Sequence, residues 1–66
     1  MNNVQENAAK IYEYIRLHPG RLREHIEMAL YINSYDFTEA RKFLGDKIKA
    51  VSNGNERYWY LAEVRA

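Results

Sequence analysis

Residues 47–61 have the sequence KIKAVSNGNERYWYL, which carries the strongest local structural signal in the chain. Polar and apolar residues alternate over residues 47–51, as they do in a β-strand with one buried face. Asn53-Gly54 is a pair favoured in two-residue type I′ turns, and strand-forming residues follow over residues 56–61. The stretch therefore predicts a β-hairpin with Asn53 and Gly54 as its two loop residues.

The predicted loop also determines which residues of the two strands oppose each other. Counting outward from it pairs Ser52 with Asn55, Val51 with Glu56, Ala50 with Arg57, Lys49 with Tyr58, Ile48 with Trp59 and Lys47 with Tyr60. Ile48, Trp59 and Leu61 then share one face, which we expect to cover the helices. The opposite face is expected to present lysine and tyrosine side chains, those of Lys47, Lys49, Tyr58 and Tyr60. A slip of one residue would exchange the faces and bury the lysines.

Residues 1–20 predict one amphipathic helix. Apolar residues recur there at steps of three and four, at Val4, Ala8, Ile11 and Ile15. Asn3 followed by Glu6 resembles a capping box, and Pro19 disfavours the α conformation at the residue before it. We therefore predict a helix from Val4 to Leu17. Tyr12 and Tyr14 fall outside its core stripe and offer a surface for pairing with a second copy.

Two shorter helices are predicted between residues 21 and 45. The second helix runs from Leu22 to Leu30, with Leu22, Ile26, Ala29 and Leu30 on its buried face and Arg23, Glu24 and Glu27 toward water. Polar turn formers over residues 31–35 separate it from a third helix, which runs from Phe37 to Leu44. Asp36 is the expected N-cap of the third helix, and Gly45 is the expected C-cap.

The composition describes one small domain that covers residues 1–66. The chain has no cysteine and a formal net charge of +1 at pH 7. It lacks metal-ligand spacings, a nucleophile elbow and a phosphate-binding glycine loop, so we expect no metal, no cofactor and no enzymatic activity. Because the N-terminal residues lack a signal-peptide pattern and no apolar run is long enough to span a bilayer, we expect a cytoplasmic protein without membrane contact.

The order of the elements (helix, turn, helix, polar turn, helix, tight hairpin) resembles that of winged helix-turn-helix domains over most of the chain. The resemblance implies an α+β fold in which three helices pack on a C-terminal two-stranded β-hairpin, the wing. The Ala40-Arg41 pair in the third helix and the strand Tyr58-Trp59-Tyr60-Leu61 are similar to features of the small fimbrial-operon transcription regulators of the PapI and FaeA type. This chain has a shorter join between the third helix and the hairpin.

The resemblance implies a transcriptional regulator that binds double-stranded DNA with its third helix and wing. Thr38, Arg41 and Lys42 would read bases, with Arg41 and Lys42 on the side of the helix opposite Phe37 and Leu44. Basic side chains would hold the phosphates, namely Lys47, Lys49 and Arg57 with Arg21 or Arg23. The polar turn and the hairpin tip add Asn33, Ser34, Tyr35, Asn53 and Asn55 as candidate contacts. Because so small a domain buries little interface, we expect a homodimer, tandem sites or a partner protein to add affinity.

A protein-interaction module with the same winged-helix fold and no DNA contact is the alternative interpretation. It is favoured by the near-neutral net charge, by the tyrosine-rich hairpin face and by the carboxylates Asp36, Glu39 and Asp46 around the third helix. An ordinary solvated helix face and cross-strand packing of lysine on tyrosine would also account for these residues without a partner. The salt dependence of binding separates the two functions, since DNA binding weakens steeply as salt is added.

Overall fold

The computed structural model describes residues 3–62, which form three α-helices and a three-stranded antiparallel sheet. The elements are α1 (Val4–Leu17), β1 (Arg21–Leu22), α2 (Arg23–Leu30), α3 (Ser34–Leu44), a 3-10 turn (Gly45–Lys47), β2 (Ile48–Asn53) and β3 (Glu56–Leu61). Within the sheet the strand order is β1-β3-β2. The α+β class is thus confirmed, and the sheet has one strand more than the predicted two-stranded hairpin.

The added strand, β1, is placed by the turn that follows α1. Gly20 adopts a left-handed conformation, with φ +81, and its N–H donates to the carbonyl oxygen of Trp59 at 2.8 Å. Arg21 and Leu22 then pair with Trp59 and Tyr58. A side chain at position 20 would be strained by the backbone angle, and its Cβ would lie 3.1 Å from the hydroxyl of Tyr60. The turn therefore requires glycine and ties the connection between α1 and α2 to β3, the central strand.

The hairpin forms, but its loop is one residue further along than predicted. Asn53 pairs with Glu56, which leaves Gly54 and Asn55 as the loop. Gly54 has φ +67, whereas Asn55 is not among the residues with positive φ. A type II′ turn needs glycine at its first central position, whereas type I′ needs positive φ at both positions. The predicted Asn53-Gly54 loop is therefore wrong, and Asn53 ends β2 instead.

The corrected register preserves the predicted faces of the hairpin. Ile48 opposes Leu61 and Ala50 opposes Trp59, so each predicted partner moves by two positions. Because side chains alternate with a period of two, Ile48, Trp59 and Leu61 still share the inner face, and Ile48 and Trp59 are buried. Lys47 precedes β2 in the 3-10 turn, so it is not a strand residue of the outer face as predicted.

The helix starts differ from the prediction more than the helix ends do. The bounds of α1 are confirmed, but the side chain of Asn3 makes no capping hydrogen bond, so the predicted capping box is wrong. Helix α3 begins at Ser34 because Oδ1 of Asn33 accepts a hydrogen bond from the N–H of Asp36 at 2.7 Å. Asn33 is thus the N-cap in place of Asp36. Gly45 is the C-cap, as predicted.

One core joins the helices to the hairpin. Its buried apolar residues are Ala8, Ile11, Ile15, Ile26, Ile32, Phe37, Ala40, Leu44, Ile48 and Trp59. Ala29 was expected in this core and is exposed, whereas Ile32, which follows the left-handed C-cap residue Tyr31, is buried. Tyr12 and Tyr14 pack partly against the core and remain partly exposed, and the pairing surface predicted for α1 stays a prediction.

Asn3 and Asn33 each precede a helix, and replacing them one at a time should show which of them stabilises its helix as an N-cap. Asn33→Ala removes the acceptor for the Asp36 N–H and should lower the free energy of unfolding by about 1 kcal/mol. Asn3→Ala removes no capping bond and should change it by less than about 0.5 kcal/mol. Urea denaturation followed by circular dichroism measures both, and equal losses would contradict the assignment of Asn33 as the N-cap.

Candidate nucleic-acid interface

A groove of about 450 Å³ lies between the C-terminal half of α3 and the hairpin, and we call it the basic groove. From the helix and the turn after it come Arg41, Lys42, Gly45 and Asp46, and from the hairpin come Ile48, Lys49, Ala50, Ser52, Arg57 and Trp59. Arg41, Lys42 and Arg57 bring three basic side chains there against one carboxylate, and Lys49 borders the groove from a strand position whose side chain belongs to the outer face. The groove is therefore positively charged although the whole chain is almost neutral.

Trp59 forms the contact between helix and hairpin that shapes this groove. Its ring meets that of Phe37 edge to face, with centroids 5.5 Å apart and an interplanar angle of 70°. The guanidinium carbon of Arg41 lies 5.8 Å from the centroid of the Trp59 ring, within the range of a cation–π contact. Phe37 and Arg41 are four residues apart on α3 and lie on one side of it. The prediction that Arg41 lies opposite Phe37 is therefore wrong.

The basic side chains of the groove differ in how far they are neutralised. Nζ of Lys42 lies 3.5 Å from a carboxylate oxygen of Glu39 on the same helix, an ion pair that is largely exposed. Arg41, Lys49 and Arg57 form no ion pair with any residue between 3 and 62. These three cations are therefore the ones that a ligand can use without breaking an ion pair inside the protein.

Arg23 was expected to face water or to hold a phosphate. Its guanidinium instead contacts other residues of the protein. Its guanidinium pairs with Glu27 at 2.8 Å, and Nη2 donates to the carbonyl and hydroxyl oxygens of Ser34 at 2.9 and 3.1 Å. The same nitrogen donates to the hydroxyl of Thr38 at 2.8 Å, and the group lies 4.6 Å from the centroid of the Phe37 ring. We call this set of contacts the Arg23 clamp, and its other members are Glu27, Ser34 and Thr38. Glu27 was expected to face water.

The remaining predicted site residues lie outside the basic groove. Asn33 caps α3, and Tyr35 is exposed in its first turn. Lys47 lines a depression beside α1 instead, together with Tyr12 and Phe43. The hairpin tip carries Asn53 and Asn55, and Asn55 lines a shallow depression against the start of α2.

The outer face of the hairpin has a local hydrogen bond of its own. The hydroxyl of Tyr58 donates to a carboxylate oxygen of Glu56, and this bond, with burial and the carboxylate charge, raises the pKa of Tyr58 above its usual value. The phenol is therefore occupied as a donor within its own strand. Tyr60, on the same face, packs toward Gly20.

Six groove residues were not among the predicted site residues, and three of them, Trp59, Ser52 and Asp46, carry a polar side-chain group. A signal for the first two was present, because the inner face of β2 changes from Ile48 through Ala50 to Ser52 as it nears the tip. The inner face of β3 likewise changes from Trp59 to Arg57. The change to polar residues indicates that the part of the hairpin near its loop extends beyond the core. Its inner face lines the groove there.

No protein-family model, no curated protein and no solved structure gives a significant match to this chain. Within residues 3–62 there is no cluster of three histidine, cysteine or acidic residues suited to a metal ion. Over the same range, the helices are too short or too polar for a membrane span.

Removing the guanidinium of Arg23 should cost far more stability than removing that of Arg21, its exposed neighbour two residues away. Arg23→Met breaks the clamp and should lower the free energy of unfolding by about 1–2 kcal/mol, since a third of the side chain is exposed. Arg21→Met should change it by less than about 0.5 kcal/mol. Thermal and urea denaturation check this, and similar losses for both variants would rule out the clamp as a stabilising element.

Proposed function

We propose that this protein is a DNA-binding transcriptional regulator of the winged helix-turn-helix type that contacts double-stranded DNA with α3 and the β2–β3 hairpin. The observation that carries the proposal is the basic groove, in which helix and hairpin residues distant in sequence set three cations against one carboxylate. DNA presents a regular row of phosphate charges, and neutralising them releases counterions. A positively charged groove between a helix and a β-ribbon suits one strand of that backbone.

The architecture supports the same proposal. The three helices are compatible with a winged-helix arrangement, as is the short strand β1, which precedes α2 and pairs with β3 of the C-terminal hairpin. The 11 residues of α3 span about 16 Å, and a B-DNA major groove admits a helix. The Arg23 clamp ties the start of α3 to α2, which would hold a recognition helix at a constant angle.

The side chains divide into two roles under this proposal. Arg41, Lys49 and Arg57 hold phosphates, because no described residue pairs with them. Tyr35 and Lys42 lie seven residues apart on α3, which is two helical turns, and both are exposed, so they are the side chains offered to base edges. Thr38 serves the clamp first, and its part in base reading is secondary.

Removing one groove charge should weaken DNA binding and its salt dependence together. Arg57→Gln should reduce the slope of log affinity against log salt by about 0.9, the value for one phosphate contact. Lys10→Gln on α1 removes the same charge away from the groove and should leave the slope unchanged. Fluorescence anisotropy of a labelled duplex between about 50 and 200 mM salt measures both slopes. Equal slopes for the two variants would contradict the use of the groove.

Selection from a random-sequence duplex pool separates two forms of the proposal. Salt-sensitive binding with an enriched motif identifies a sequence-reading regulator, and Lys42→Ala and Tyr35→Ala should then relax the motif. Salt-sensitive binding without enrichment identifies an architectural DNA-binding protein. Absence of binding at about 50 mM salt contradicts both forms, because phosphate contacts are strongest there.

A protein-interaction module is the second candidate, and a specific surface favours it. Met28, Tyr31 and Tyr35 are 73%, 96% and 67% exposed around the α2–α3 turn, and Tyr31 holds a left-handed conformation that glycine adopts with less strain. Exposed aromatic and methionine side chains are enriched in protein interfaces. Binding through them should change little with salt, and Tyr31→Ala should abolish capture of a partner without changing any DNA affinity.

A further inference from the structure

Trp59 carries an unsatisfied hydrogen-bond donor in the wall of the basic groove. Among the residues that the structure describes, its indole N–H is the buried side-chain polar group without a partner. The residue is 2% exposed, so water does not reach the N–H in the free protein. Buried indole N–H groups usually find an acceptor, and leaving one without is unfavourable. The groove therefore gains from any ligand that brings an acceptor oxygen to this position.

The neighbouring side chains indicate the charge of that ligand. Arg41 lies over the indole ring, and Arg57 lines the same groove without an ion pair to any described residue. Ser52 adds a hydroxyl donor. Cations together with neutral donors fit an oxyanion that has several acceptor oxygens, and a phosphate group meets this description. Asp46 and the negative C-terminal end of α3 oppose an anion, so binding depends on the cations.

We propose that the basic groove holds one phosphate group, with the indole N–H of Trp59 donating to a phosphate oxygen and with Arg41 and Arg57 balancing the charge. The inference rests on the proposed function for its source of phosphate, the phosphodiester of a DNA strand. Free inorganic phosphate offers the same oxygens. Arg41 covers the ring in the free protein and moves aside as the oxygen enters, which its long and exposed side chain permits.

The single tryptophan makes the contact directly observable. In a ¹⁵N-labelled sample of the full chain, one indole N–H resonance belongs to Trp59. Inorganic phosphate is titrated into this sample, with sodium chloride of equal ionic strength as the reference, and a short duplex is titrated into a second sample. We expect a saturable downfield shift of the indole proton with phosphate, and a shift in the same direction with the duplex, because both bring an oxyanion acceptor.

Two variants with the same loss of charge serve as matched controls. Arg57→Gln removes a groove cation and should weaken phosphate binding roughly fivefold, the size expected for one partly solvated charge contact. Lys10→Gln lies on α1 outside the groove and should leave the titration midpoint within about twofold. The amide spectrum of each variant reports whether its fold is retained. Equal effects of the two variants would overturn the site.

The titrations also separate this inference from the DNA proposal. An indole resonance that follows only the chloride reference, while duplex binding stays steeply salt-dependent, overturns the phosphate site and leaves DNA binding standing. A saturable shift with inorganic phosphate in a protein that binds no duplex supports the phosphate site, assigns it to a free phosphate and overturns the DNA proposal. If neither a saturable indole shift nor duplex binding is observed, the phosphate site and the DNA proposal are both overturned.

Discussion

The edge-to-face contact between Phe37 and Trp59 is the interaction on which the rest of the structure depends. It joins α3 to the hairpin with ring centroids 5.5 Å apart, and both residues are buried. Arg23 lies over the Phe37 ring on one side, and Arg41 lies over the Trp59 ring on the other. In a 66-residue chain, where the core is small, two large aromatic side chains supply much of the surface that can be buried. The angle between helix and hairpin, and with it the width of the basic groove, follows from their contact.

The cations of this chain divide into structural and free groups because of that arrangement. Arg23 is committed to Glu27, Ser34 and Thr38 and holds α3 in place. Arg41 and Arg57 have no such partners in the described part of the chain and remain at the groove. Net charge therefore says little about function here, since +1 overall conceals a concentrated positive surface. The same geometry leaves the indole N–H of Trp59 without an acceptor until a ligand supplies one.

Local patterns predicted the elements well and their junctions poorly. The apolar period identified α1, and the alternation of polar and apolar residues identified the hairpin. The faces of the hairpin were predicted correctly although each pairing partner was wrong by two positions, because a shift of two residues keeps every side chain on the same face. The N-cap of α3 was missed because Asn33 and Asp36 are both good capping residues three positions apart. Strand β1 has two residues and exists through its pairing with β3, so no local period reveals it. The basic residues of the groove were predicted by type, whereas the position of Arg41 and the part of Trp59 required the packed fold.

A crystal structure of the chain bound to a short duplex tests the central claim most directly. The account predicts a DNA strand in the basic groove, with a phosphate within hydrogen-bonding distance of Arg41 or Arg57 and with α3 facing base edges. A duplex that instead lies against α1 or against the surface around Tyr31, with the groove left open to solvent, would contradict it.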